Sequence, residues 1–183
     1  TKVQASIGRR TVFQAVSLGN GGTGGLKAAG IFSEDGSKVA TPARSYMLVV
    51  FAANADGSTS IAKSTSYDLY GNAAAAGEAF NADVNALPNG TYIAVTTYDE
   101  PNGSKSRIYD AIESLGGSRE AMDKMVARSA YILLGCKGIG KGNGQELVSP
   151  VAGAADAKVS AAIEFVNGTM PGLGGGAAAI ANA

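Results

Sequence analysis

The sequence predicts an α+β domain: two mostly antiparallel β-sheets with two to three helices packed against them. Three observations carry this. Alternating or continuous runs of apolar and β-branched residues occupy both ends of the chain, whereas a helical period appears only in its middle, from about residue 73 to 126. Turn formers such as Asp35-Gly36 and NADGS (54–58) separate successive strands by a few residues, the spacing of antiparallel hairpins. Strands and helices do not alternate regularly, so a parallel sheet built from strand–helix–strand units is not expected.

The elements follow in order. KVQASI (2–7) and TVFQAVSL (11–18) alternate in polarity as short strands do. LKAAGIF (26–32) runs through SEDGS into KVAT (38–41) and reads as a hairpin. SYMLVVFAA (45–53) is apolar throughout, the mark of a strand covered on both faces, and TSIAKSTSY (59–67) returns beside it. The period then changes. Phe80, Val84 and Leu87 fall at i, i+4 and i+7, which predicts a helix over 73–87 that Pro88-Asn89-Gly90 ends. TYIAVTTY (91–98) is strand-like. Ile108, Ala111, Ile112 and Leu115 make one face of a second helix, with Ser104 or Ser106 as its cap and Gly116-Gly117 as its stop. Ser118 caps a short third helix whose inner face is Met122, Met125 and Val126. AYILLG (130–135), QELVSPV (145–151) and AKVSAAIEFV (157–166) are closing strands.

Composition bounds the function. The 183 residues suit one domain, taken as 1–166, with PGLGGGAAAIANA (171–183) making 167–183 a glycine- and alanine-rich tail or connector. Fifteen basic and fifteen acidic residues cancel, so no broad attraction to nucleic acid or to an anionic membrane is implied. No apolar stretch has the ~18 residues of a membrane span. The N-terminal residues lack a basic–apolar–small signal-peptide pattern, and a chain opening on Thr1 is expected to be a processed or excised piece. There is no histidine, which removes Ser/His/Asp and Cys/His nucleophile systems and the commonest metal ligand. We therefore expect no catalysis, no metal and no cofactor. The single cysteine, Cys136, has no internal partner and is expected to be a small buried apolar side chain.

Two glycine clusters invite a nucleotide reading. GCKGIGKGNG (135–144) satisfies the first seven positions of a phosphate-binding loop, but the eighth is Gly142, which lacks the magnesium-binding hydroxyl, and NGQELVSP cannot continue as a helix. No nucleotide binding is expected, and Lys137 and Lys141 are expected to solvate the loop. GNGGTG (19–24) fits a dinucleotide fingerprint, yet Gly25 and Gly30 make a following helix poor, so it reads as a surface connection. Tyr67, Tyr70 and Tyr98 read as core or sheet-edge residues. The acids Asp110, Glu113, Glu120 and Asp123 lie on polar helix faces.

LPNGTYIAVTTYDEPNG (87–103), AIESLGG (111–117) and RSAYILLGCKG (128–138), in this order, resemble the GG domain of the interleukin-like EMT inducers, with a match from about 45 to 164. That domain also occurs in the stem of a protein O-mannose N-acetylglucosaminyltransferase, in hyaluronan-related proteins and in tail-fibre proteins of T-even-type bacteriophages. The resemblance implies that Gly135 and Gly138 form a close backbone crossing where only glycine fits. It also implies a glycan site made of Asp99, Glu100, Arg128 and Tyr131, although these carboxylates are equally readable as a salt bridge or turn cap. The secreted members pair cysteines and this chain has one; Ser129 replaces an acid, and Tyr131 stands where tryptophan is common. The missing cysteines and the glycine-rich tail make the chain most similar to the phage fibre copies. The implied role is a non-catalytic structural or receptor-recognition module of the virion, with other fibre proteins or copies of itself as partners and a host surface glycan as ligand. A glycan-binding stem module or a secreted signalling domain are the alternatives.

Overall fold

The computed structural model describes residues 8–20, 24–149 and 157–173. Nine strands and four small helices follow in the order β1 (Arg10–Gly19), α1 (Gly25–Ala28), β2 (Gly30–Ser33), β3 (Lys38–Ala40), β4 (Ser45–Ala53), β5 (Thr59–Tyr67), α2 (Ala73–Asn85), β6 (Tyr92–Asp99), α3 (Tyr109–Ser114), α4 (Arg119–Met122), β7 (Tyr131–Cys136), β8 (Gln145–Val148) and β9 (Lys158–Val166). The class is α+β.

The strands are hydrogen-bonded into one branched sheet that forms two facing layers. One layer runs β3-β2-β1-β9 and the other β5-β4-β6-β7-β8, every pair within a layer being antiparallel. A two-residue parallel contact, Leu18 to Tyr98 and Gly19 to Asp99, joins β1 to β6 and closes one corner.

Alternation along β4, β6 and β7 decides the layering. Met47, Val49, Phe51, Tyr92, Ala94, Ile132, Leu134 and Cys136 face the other sheet layer and meet Phe13, Ala15, Ile163 and Phe165. Their neighbours Tyr46, Leu48, Ile93, Val95, Tyr131 and Leu133 point the opposite way, into a second core with Phe80 and Val84 of α2 and Ile112 of α3. The middle layer is thus buried on both faces, which is why SYMLVVFAA and YILLGC carry almost no polar residue. Each buried phenylalanine of the inter-sheet core, packed at centroid distances such as 4.9 Å for Phe51–Phe165, contributes about 1.5–3 kcal/mol.

Several expectations shift. Leu26, Lys27 and Ala28 form a helical turn rather than strand, because Gly24 and Gly25 take positive φ and reverse the chain; β2 begins only at Gly30. The second helix is broken into a 3-10 turn, Lys105–Ile108, and α3. Ser104 has a left-handed φ of 62° and makes no cap bond, and Ser106 lies inside the turn. Ser118 does cap α4, its Oγ accepting the Ala121 N–H at 3.2 Å. Beyond β9, Asn167-Gly168 turn the chain, a bridge forms between Val166 and Thr169, and Met170 and Leu173 pack on the inter-sheet core. Residues 167–173 therefore pack as part of the domain. The KVQASI run, residues 21–23 of the first glycine cluster and the GGGAAAIANA tail lie outside the described residues.

Candidate functional site

The structure brings Asp99, Glu100 and Arg128 to one corner, where β6 leaves the sheet and the chain enters β7. Each has a different task. Glu100 is buried. One carboxylate oxygen accepts the backbone N–H of Arg128 at 2.9 Å, and the other accepts the N–H groups of Asn102 at 2.7 Å and Gly103 at 3.4 Å. It ties the strand end to its neighbours through main-chain donors. The Arg128 side chain is exposed and its guanidinium donates to Asn20 Oδ1 rather than to either acid. Asp99 is half-buried, and among the described residues its carboxylate has no hydrogen bond or ion pair of its own.

Close approach of backbones shapes this corner. A side chain at Gly19 would overlap the Arg128 carbonyl, and Asn20 N–H donates to the Asp99 carbonyl at 2.9 Å. Asn20, Ser45, Asp99, Ser104 and Arg128, five of the six described non-glycine residues with left-handed φ, lie around it. Such conformations cost free energy and persist where the surroundings enforce them, commonly at binding sites.

Tyr131 is not part of that surface. Its ring is fully buried on the helix side and its hydroxyl donates to Glu146 Oε2 at 2.6 Å. Burial and the Glu146 charge push its pKa well up. Its main chain does serve the corner: the N–H donates to Thr97 Oγ1 and the carbonyl accepts Ser17 Oγ–H.

Sequence reasoning missed two residues that face solvent beside Asp99. Arg44 forms a two-point ion pair with Asp68, at 3.1 Å from Nε and 2.7 Å from Nη2, and its guanidinium lies 5.0 Å from the centroid of the Tyr70 ring. The Asp68 hydrogen bond, then the Asp68 and Asp99 charges, raise the Arg44 pKa. The Tyr70 side is 60% exposed, an unusual cost for an aromatic ring. The sequence carried no clear signal for it: in YDLYGN (67–72), Tyr67 and Leu69 join the helix-side core while Tyr70 points to solvent.

The loop over 135–144 does the opposite of cradling a phosphate. Its N–H groups point at the C-terminal end of α3. Cys136 N–H donates to the Leu115 carbonyl, Gly138 to Ser114, Gly142 to Gly117 and Gly144 to Gly116. The Ser114 and Leu115 carbonyls end α3 without a partner in it, and those of Gly116 and Gly117 follow directly, so the loop meets a row of acceptors, a poor place for an anion. A Cβ at Gly135 would overlap the Leu115 carbonyl, and Gly138 has φ +83° with Asn89 against it. Lys137 is half-buried, and its ammonium donates to the Val84 carbonyl at 3.0 Å near the end of α2 rather than solvating the loop. Lys141 pairs with Glu120 at 2.9 Å and Glu113 at 3.5 Å. Cys136 is buried, with its thiol pushed up to about 11 by burial.

The profile of the interleukin-like EMT inducer family matches residues 44–139, from Arg44 ahead of β4 to the turn after Gly138. The chain belongs to the interleukin-like EMT inducer family. No curated protein matches it significantly. In this member the family region spans β4 to β7, all of α2 to α4 and the first half of the glycine loop, so it contains Arg44, Asp68, Tyr70, Asp99, Glu100 and Arg128. The other layer, β3-β2-β1-β9, lies outside it, and so do β8 and Asn20. No group of metal-ligating side chains occurs among the described residues, and no described helix is long and apolar enough to cross a membrane.

Proposed function

We propose that this chain is a non-catalytic recognition module that reads a surface carbohydrate at the Asp99 corner. One observation carries the reading: an exposed Tyr70 ring with the Arg44 guanidinium beside it stands near the Asp99 carboxylate, which has no partner among the described residues. A sugar offers an apolar C–H face for the ring and hydroxyl pairs that donate to the carboxylate and accept from guanidinium forks. Arg128, steadied by Asn20, supplies a second fork. Glu100 holds the backbone of the site and does not face the ligand. With no histidine as base, these groups are suited to hold a ligand rather than to move a proton.

The setting we propose is a bacteriophage tail fibre, with copies of the chain or other fibre proteins as neighbours and a host surface glycan as the ligand. The missing cysteine pairs and the glycine- and alanine-rich C-terminal stretch favour it. A glycan array of bacterial surface oligosaccharides, followed by calorimetry on the best ligand, tests the site. Asp99→Asn and Tyr70→Ala are each expected to weaken binding about tenfold with an unchanged melting temperature. Binding that survives both substitutions together would place the ligand elsewhere, and a blank array would remove the carbohydrate reading.

A further inference from the structure

Two glycines beside Tyr70 lack the reasons that explain glycine elsewhere in the chain. At Gly19 and Gly135 a Cβ would overlap a main-chain carbonyl, and Gly138 takes a left-handed φ of 83°. Neither Gly71 nor Gly103 has positive φ, so their backbone does not call for glycine. A glycine at such a position loses more conformational freedom on folding than any other residue and relieves no strain. What a Cβ would meet at each is side chain alone, and both sets of atoms belong to the cluster around the Tyr70 ring.

A Cβ at Gly71 would lie 2.5 Å from Arg44 Nη2 and 2.6 Å from Asp68 Oδ2. The two-point ion pair therefore occupies the space that a side chain would take, and the Gly71 N–H donates to Asp68 Oδ1 at 2.9 Å. The pair holds the Arg44 guanidinium 5.0 Å from the centroid of the Tyr70 ring. A Cβ at Gly103 would lie 3.5 Å from Tyr70 Cδ2 and, its chain neighbours aside, within 4 Å of nothing else. That is an ordinary van der Waals contact, so a side chain fits at 103 without strain, and its effect is to cover the ring. The turn that carries Gly103 is pinned. Glu100 Oε1 accepts the Asn102 and Gly103 N–H groups, and the Lys105 ammonium donates to Asn102 Oδ1 at 2.7 Å and to the Met125 carbonyl at 2.9 Å.

We propose that Gly71 and Gly103 are specificity-determining residues of the corner site, and that their role is to keep the Tyr70 ring available to a stacked sugar ring. Gly71 seats the Arg44–Asp68 pair beside the ring. Gly103 leaves the ring margin at Cδ2 bordered by main chain, where a side chain would compete with the sugar for the same space. The inference rests on the carbohydrate reading of the corner and adds a steric condition to it.

Two measurements on the full chain test it. Photo-CIDNP NMR with a flavin dye reads the accessibility of the Tyr70 ring with no sugar present. Polarisation of Tyr70 is expected to be strong in the parent, to fall in Gly103→Ala and to be lost in Gly103→Leu. Amide NMR titrations with methyl glucoside and, separately, with methyl galactoside read binding, and saturable shifts at Gly71 and Gly103 are expected with at least one of them. Gly103→Leu is expected to weaken that binding about tenfold or more and Gly71→Ala about threefold. Gly172→Ala, at a glycine with open space around it, should bind like the parent. Melting temperatures of all the variants should match the parent, because none of the added Cβ atoms strikes main chain. Unchanged Tyr70 polarisation in Gly103→Leu, or unchanged sugar affinity in both Gly103→Leu and Gly71→Ala, overturns the proposal. Polarisation lost in Gly103→Leu while the parent binds neither sugar would leave the opening at Gly103 standing and count against the carbohydrate reading alone.

Discussion

The two ends of β6 meet the rest of the molecule in opposite ways. At the C-terminal end, β1 crosses onto β6 and main-chain groups are held by buried side chains: Glu100 accepts three main-chain N–H groups, and Ser17, Thr97 and Tyr131 bond to one another, while the Ser45 and Thr96 hydroxyls make no bond. At the N-terminal end the layers part over Phe51 and Phe165, and the buried hydroxyls of Tyr92 and Thr59 make no well-formed hydrogen bond among the described residues. A chain crossing brings backbone donors and acceptors into a dry region, where each must find a partner. Two layers that separate need no such lock, and the space between them stays available. The carboxylate that locks the first end is therefore expected to be sensitive to substitution, and the hydroxyls of the second end tolerant.

The largest effect is expected at the glycine loop, which anchors the open end. Gly135→Ala places a methyl group against the Leu115 carbonyl, which also accepts the Cys136 N–H, so either the strand or α3 must move. A loss of about 3 kcal/mol in urea denaturation is expected. An unchanged midpoint would mean the loop is not anchored.

Next comes the closed end. Glu100→Gln keeps the shape but replaces one acceptor oxygen by a donor amide, facing main-chain N–H groups that also donate. Chemical denaturation should report a loss of about 1–3 kcal/mol. A change below roughly 0.5 kcal/mol, within the scatter of surface substitutions, would remove the energetic contrast between the two ends.

At the open end, Tyr92→Phe deletes a buried hydroxyl that is set only loosely against the Met170 main chain. Stability is expected to stay within about 0.5 kcal/mol of the parent or to rise. A fall of more than 1 kcal/mol, roughly the size of a net hydrogen bond, would reveal a bond to Tyr92 and equalise the two ends.

The smallest effect concerns Glu113, on α3 beside the loop. The hydrogen bond from Arg119, aided by the nearby Lys141 charge, holds its carboxyl at about 2, below the ordinary 4.5. A depressed carboxyl stabilises the fold above its unfolded pKa, and that contribution fades as pH falls from about 4.5 towards 2. Solvent screens this surface cluster, so the effect should stay below about 1 kcal/mol. Melting temperatures of the parent and Glu113→Gln should differ at pH 6 and converge near pH 2; a constant difference would show that Arg119 does not depend on the Glu113 charge.

Much of the fold was legible. The bounds of β4 and β5 coincide with the apolar run at 45–53 and the polar return at 59–67, because alternation and turn chemistry are local. The start of the second helix was not legible. Ser104 has the residue type of a cap, yet it takes a left-handed φ at the turn that Glu100 organises through Asn102 and Gly103. At the corner, Asp99 and Arg128 were nameable and the burial of Tyr131 was not. Alternation along β7 says only that Tyr131 and Ile132 face opposite ways; the helix layer closes the face that Tyr131 occupies. Arg44 and Tyr70 are distant from Asp99 in sequence, and only the pairing of β4 with β6 brings Arg44 beside it.

By itself the sequence determined the periods, the turns and the positions where a side chain is not tolerated, since these follow from residue chemistry within a few bonds. The tertiary structure alone decided what those positions meet: that the loop at 135–144 donates to the chain leaving α3 instead of a phosphate, and that Glu100 binds backbone instead of ligand. A glycine shows that space is needed, and only the neighbouring chain shows what fills it.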